Sequence, residues 1–255
     1  MKIDRMFENK DKLNFTKELK MSASHPSYDS FKSLILLRHG ESLTNLDLSA
    51  YGHFKDHEVP LSEYGKKEAV QCGSYWACYC KEKEVNSVLV LHSHYLRAKN
   101  TADIIASALK DNVRDVRSEE VEHIHEQLWP ECQTLHFDKV KDYLHNCLKL
   151  RHKKGIYHYK FPRGGENGQD VSKRAQLFIE EFQTRYLLDS SDLIIVVTHS
   201  YFMRVLLKEL FEWSIEEFGQ IRKPKNCKGY MLSLSGGILT LESNQLAFKD
   251  SNEMD

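Results

Sequence analysis

Leu34-Ile35-Leu36-Leu37-Arg38-His39-Gly40-Glu41-Ser42 joins a short apolar run directly to an arginine and a histidine. The run Leu34 to Leu37 reads as a buried strand, which puts Arg38 and His39 at its C-terminal end. Two further stretches repeat the arrangement. Ser87-Val88-Leu89-Val90-Leu91 is followed by Ser93 and by Arg97-Ala98-Lys99-Asn100-Thr101-Ala102, at a predicted helix start. Leu193-Ile194-Ile195-Val196-Val197 ends in Thr198-His199-Ser200, before a helical stretch from Tyr201 to Phe211. Three buried strands thus deliver polar residues to one sheet edge, which predicts an α/β domain. Open α/β sheets bind ligands in the crevice outside the C-terminal strand ends, and a cation beside an imidazole there suits a phosphoryl group.

The rest of the chain fits around these strands. At 255 residues it can bury one substantial core, as expected of a single domain. Residues 1–30 are polar and read as a flexible extension, residues 31–247 carry the domain, and residues 248–255 form a polar tail. Leu43 to Pro60 reads as a loop, and Ser62 is placed to cap a helix over Glu63 to Glu84. Between Asp111 and Pro130 the sequence is irregular apart from a short strand near Val121, and Phe137 to Leu150 is helical. The aromatic and basic stretch Lys153 to Arg163 reads as a loop packing Tyr157, Tyr159 and Phe161 onto the domain, ahead of a helix from Gln169 to Leu187. Tyr230 to Leu234, Gly236-Gly237 and Ile238 to Leu241 read as a terminal hairpin.

Composition narrows the function classes. With 36 basic and 37 acidic residues the net charge is -1, so there is no global bias toward nucleic acid or an acidic membrane surface, and any anion site is local. Six cysteines show no zinc spacing and read as reduced thiols. The first 30 residues lack the apolar core of a signal peptide, and no stretch is apolar for long enough to span a membrane. A cytoplasmic location without stable membrane insertion is therefore expected. His92-Ser93-His94 and His123-Ile124-His125 alternate as metal ligands on a strand would, but lack matching carboxylates or thiolates, and no metal or other cofactor is expected.

Taken together, the motifs resemble those of the histidine phosphatase superfamily, the phosphoglycerate-mutase-like proteins. The resemblance rests on Arg38-His39-Gly40-Glu41-Ser42 with Asn45, Leu61-Ser62-Glu63-Tyr64-Gly65 with Glu68-Ala69, Ser93 to Ala102, and Thr198-His199 with Arg204. Tyr157 to Pro162 before Gly164-Gly165-Glu166, and Phe211-Glu212-Trp213-Ser214 with Glu217-Phe218, look most like a plant and fungal branch that includes a broad-range acid phosphatase. The resemblance implies a three-layer α/β/α sandwich around a mostly parallel central sheet. It also implies that His39 is a nucleophile that becomes transiently phosphorylated, with Arg38 and Arg97 clamping the phosphoryl oxygens and His199 donating a further hydrogen bond. Asn45 would add an amide donor, and the backbone N–H of Ser200, where most relatives have glycine, another. Glu126 in Ile124-His125-Glu126-Gln127-Leu128-Trp129 matches the position of the proton donor, with Glu122 and Glu131 as rivals. Glu166 either orients a group of the site or serves as a helix-start carboxylate.

After Glu126 the cofactor-dependent mutases carry an arginine- and tyrosine-rich substrate segment, whereas this chain reads Gln127-Leu128-Trp129-Pro130-Glu131-Cys132. That departure favours hydrolysis of a phosphomonoester; with the ligand sets and charge balance above, the expectation is a metal-independent, acid-phosphatase-type enzyme acting on a phosphorylated small molecule or phosphoprotein, with no nucleic-acid partner. A phosphoglycerate mutase and a non-enzymatic phosphate-binding module are the alternatives.

Overall fold

In the computed structural model, which describes residues 16–18, 32–235 and 237–243, the apolar runs form the centre of a mixed sheet. Its described strands are β1 (Thr16–Glu18), β2 (Lys32–Arg38), β3 (Ser87–Ser93), β4 (Asp115–Val121), β5 (Leu193–Thr198), β6 (Gly229–Ser235) and β7 (Ile238–Ser243). They lie in the order β1-β7-β6-β2-β5-β3-β4. β2, β5, β3 and β4 are mutually parallel, while the expected hairpin β6–β7 and the edge strand β1 run antiparallel.

Side chains alternate across a strand, so each central run supplies both faces of the sheet. Leu34 and Leu36 of β2 pack with Phe178 of helix α5 (Gly168–Glu181) and with Phe202 and Leu206 of α6 (Ser200–Phe211). Ile35 and Leu37 pack with Cys72 and Trp76 of α2 (Glu63–Glu82) and with Ala98 and Ile105 of α3 (Leu96–Leu109). This is the expected α/β/α layering, and each fully buried leucine or isoleucine contributes about 2 kcal/mol relative to exposure. Ser62 caps α2 as predicted, its Oγ accepting from the Gly65 N–H at 2.9 Å. A Cβ on Gly65 would strike the Glu41 backbone, so glycine lets α2 press against the turn that follows β2.

Three segments depart from the sequence reading. Leu43 to Pro60, expected as a loop, contains helix α1 (Leu43–Leu46) and 3-10 turns at Leu48–Gly52 and Asp56–Glu58, elements too short to show an apolar period. The strand near Val121 is the seven-residue β4, whose charged residues suit the solvated edge it occupies. Within the extension at residues 1–30, Thr16–Glu18 instead pair with Ile238–Thr240. Backbone pairing at an open edge needs no apolar pattern, so the sequence carried no sign of it. The rest of that extension and the tail at 248–255 lie outside the described residues.

The predicted helix at Phe137 to Leu150 runs further, as α4 (Phe137–Lys154), and a short α7 (Ile215–Gln220) precedes β6. Tyr157, Tyr159 and Phe161 are buried, as read. No helix of the described residues is long and apolar enough to cross a membrane.

Candidate active site

β2, β3 and β5 are parallel, so their C-terminal ends meet along one edge and bring together residues far apart in sequence. Arg38 is the last residue of β2, and His39 follows it with its side chain buried. The His39 Nδ1 lies 2.6 Å from the Gly40 carbonyl oxygen. A carbonyl only accepts, so Nδ1 carries the proton and Nε2 presents a lone pair. Arg97, in the first turn of α3, donates its Nε–H to that Nε2 at 3.3 Å. Asp56 holds Arg97 from the other side, with 2.9 Å between Oδ1 and Nη2 and a further bond to the Asp56 carbonyl.

Arg38 donates to the Pro224 carbonyl at 3.0 Å and to Asn45 Oδ1 at 3.3 Å. The same oxygen of Asn45 accepts from the Asn226 amide and from the Ser42 N–H. Asn45 therefore positions Arg38 through its carbonyl oxygen, and its side chain lines the cavity beside Arg38.

His199 directly follows β5 as the N-cap of α6 and packs against His39, with 5.1 Å between ring centroids. Its Nε2 lies 3.0 Å from Ser93 Oγ at the end of β3. Ser200 supplies the first amide of α6. The next two amides of that helix, Tyr201 and Phe202, reach the Glu126 carboxylate at 3.4 and 3.3 Å. This places Glu126 at the start of α6 beside His199, whereas the rivals Glu122 and Glu131 are solvent-exposed.

Glu166 acts on the same segment from below. Its carboxylate accepts from the Leu128 N–H at 2.9 Å and pairs with Arg174 at 2.7 Å. Arg174 in turn donates to the carbonyls of His123, His125 and Glu126. The segment carrying Glu126 is thus held by an ion pair between Arg174 of α5 and Glu166, which precedes the N-cap of that helix. His94 and His125 meet at 5.5 Å between centroids, yet among the described residues no three histidine, cysteine or acidic side chains converge on one point as metal ligands.

Burial, reinforced by the nearby Arg97 charge, holds both His39 and His199 well below the usual histidine pKa of 6.5. Both rings are accordingly neutral at ordinary pH. Burial raises the Asp56 carboxyl, with Arg97 pulling the other way. Arg38 Nε and His199 Nδ1 are buried and have no hydrogen-bond partner among the described residues. An anion rich in oxygen acceptors fits the Arg38 Nε–H, and fits His199 Nδ1 in the tautomer whose Nε2 accepts from the Ser93 hydroxyl.

Sequence reading missed Asp56 and Arg174, and also Arg151 and Lys223, which with Arg38 line the cavity beside the site. Of these only Lys223 had a usable signal. It precedes β6, and a strand antiparallel to β2 must enter the sheet at the edge where β2 ends.

The family model described as histidine phosphatase superfamily (branch 1) matches residues 34–245. A phosphoglycerate mutase-like protein of Arabidopsis thaliana is 29% identical over 217 residues, which cover 80% of this chain and 74% of the relative. A broad-range acid phosphatase of Saccharomyces cerevisiae is 22% identical over 305 residues, covering 86% of this chain and 90% of that one. Among solved structures, a mycobacterial glucosyl-3-phosphoglycerate phosphatase matches with a TM-score of 0.61 at 18% identity, over 83% of this chain and 97% of its own. A phosphoglycerate mutase from Bacillus anthracis matches with a TM-score of 0.63 at 18% identity, over 85% and 94%. At such identities these two structures share the fold.

Proposed function

The chain belongs to the histidine phosphatase superfamily, and on that premise we propose that it hydrolyses phosphomonoesters, without a metal, through a phosphohistidine on His39. The observation that carries this reading is the orientation of His39. Its Nδ1 proton is tied to the Gly40 carbonyl, and its Nε2 lone pair sits against the Arg97 guanidinium at 3.3 Å. A neutral imidazole is the nucleophilic form, and burial together with the arginines keeps it neutral.

In the first step Nε2 attacks phosphorus while the bond to the ester oxygen breaks. Arg38, Arg97 and His199 stabilise charge on the phosphoryl oxygens, and the α6 N-terminus adds the Ser200 amide. A protonated Glu126 gives its proton to the departing alkoxide. In the second step the Glu126 carboxylate takes a proton from water, the resulting hydroxide attacks phosphorus, and the P–N bond breaks to release phosphate and neutral His39. The charge that metal ions supply in other phosphoryl transfers is supplied here by fixed guanidiniums.

The test is phosphate release from an aryl phosphate with chelator present, comparing wild type with His39→Ala. Turnover by wild type that disappears in the folded variant is expected. Equal turnover by the two proteins would overturn the assignment.

A further inference from the structure

Ser93 ends β3, is fully buried, and takes no direct part in the phosphoryl chemistry described above. Strands β3 and β5 pair in parallel with His92 opposite Val197, so Ser93 and His199 leave neighbouring strand ends within reach of one another. Among the described residues the Ser93 hydroxyl has two partners. The Tyr95 backbone N–H lies 3.3 Å from Oγ, and the His199 Nε2 lies 3.0 Å from it. A backbone N–H only donates, so toward Tyr95 the hydroxyl accepts. Its own proton then has one acceptor in reach, the His199 Nε2.

The His199 imidazole is neutral, so one ring nitrogen carries the proton and the other a lone pair. With the proton on Nε2, two N–H groups would point at Ser93 Oγ, and the Ser93 proton would be buried without an acceptor. The bare Nδ1 lone pair would then be the ring atom left to meet phosphoryl oxygens, which it repels. With the proton on Nδ1, the Tyr95 amide donates to Ser93 and Ser93 donates to Nε2, so every group is satisfied. The Nδ1–H, buried and without a partner among the described residues, remains as the donor for a ligand. The Tyr95 ring packs against the imidazole at 5.0 Å between centroids and limits its rotation.

The two histidines of the site thus carry the same tautomer for opposite tasks. A carbonyl fixes the Nδ1 proton of His39 and leaves Nε2 bare for attack, whereas a hydroxyl occupies Nε2 of His199 and leaves Nδ1–H free to donate.

We infer that Ser93 is a positioning residue for the hydrolysis: its hydroxyl holds His199 in the Nδ1–H tautomer, so that His199 donates to the phosphoryl group instead of repelling it. The inference rests on the reading of His199 as a phosphoryl donor and names the group that makes it one.

Nuclear magnetic resonance reads the tautomer directly. In isotopically labelled wild type near neutral pH, a long-range proton–nitrogen correlation spectrum distinguishes a protonated ring nitrogen from a bare one, and the His199 signals are identified by their loss in His199→Gln. A bare Nε2 and a protonated Nδ1 are expected. In Ser93→Ala the two nitrogens should exchange roles or average, and kcat for an aryl phosphate should fall about 10-fold or more. Ser93→Cys, closer in size to serine and a much weaker donor, should lose activity in the same direction. Circular dichroism would confirm that each variant is folded, and a residue serving the fold alone would leave the His199 tautomer unchanged in folded variants. A wild-type His199 with its proton on Nε2 would overturn the inference. So would an unchanged tautomer in Ser93→Ala, or a kcat within about 3-fold of wild type in the folded variants. Failure of the catalytic proposal appears separately, as undiminished aryl phosphate turnover by His39→Ala.

Discussion

His39 owes its state to neighbours that are distant in sequence, and its pH behaviour follows from them. A histidine held well below 6.5 remains a nucleophile in mild acid, so kcat/KM for an aryl phosphate should show no fall centred at about pH 6.5. A pH–rate profile with an acid limb centred near the ordinary histidine pKa would contradict the environment described. Glu126 supplies a second prediction. If its carboxyl protonates the leaving group, Glu126→Gln should cost about 100-fold or more with a poor alkoxide leaving group and much less with a good one. Equal losses on the two esters would remove it from that role. At this scale the sequence was legible wherever a side chain directly follows a buried strand, as Arg38, His39 and His199 do, or opens the next helix, as Arg97 does. It was silent on Asp56, because nothing local marks a loop aspartate that reaches an arginine on α3.

The ion pair between Glu166 and Arg174 shows how one element positions another. Both side chains are mostly buried, at 12% and 13% exposure, and they bind the backbone of the segment that carries Glu126. Glu166→Gln weakens a charge-assisted contact and should cost about 2 kcal/mol of stability. Because it acts through Glu126, it should also lower kcat more for poor than for good leaving groups. A stability loss with equal kinetic losses on both esters would mean that the pair serves the fold alone. Elements were readable where apolar spacing is dense, as in β2, β3, β5 and α6. β4 reads Asp115-Val116-Arg117-Ser118-Glu119-Glu120-Val121, which is charged because it lies at an edge, and only its end near Val121 showed. The 3-10 turns that bring Asp56 to the site have no periodicity to read.

For the whole molecule, the same buried rings make stability depend on pH. Below about 6.5 the unfolded chain protonates His39 and His199 while the folded protein does not, so the unfolded state binds more protons and stability falls as pH falls. His125, lowered to about 4 by burial and then by Arg174, acts in the same direction. Asp56, raised by burial, opposes them by keeping in the folded state a proton that the unfolded chain releases. His94 is lowered by burial as well and Glu68 raised by it, so four histidines outweigh two carboxyls, and each fully buried ring contributes at most about 2 kcal/mol between about pH 6.5 and pH 5. The denaturant midpoint should therefore be lower at about pH 5 than at about pH 7, and an unchanged or higher midpoint would contradict this. The layered α/β architecture was legible because its central strands are buried on both faces, but the mixed pairing with β1 was not, since edge pairing uses backbone groups common to every residue. The account turns on a covalent intermediate, so its most direct test is to quench the enzyme during turnover of an aryl phosphate and map phosphate by peptide mass spectrometry. An acid-labile, base-stable phosphate on His39, missing from His39→Ala, is the predicted result. Phosphate on another residue, or turnover with no phosphoenzyme detectable even in the presteady state, would contradict it.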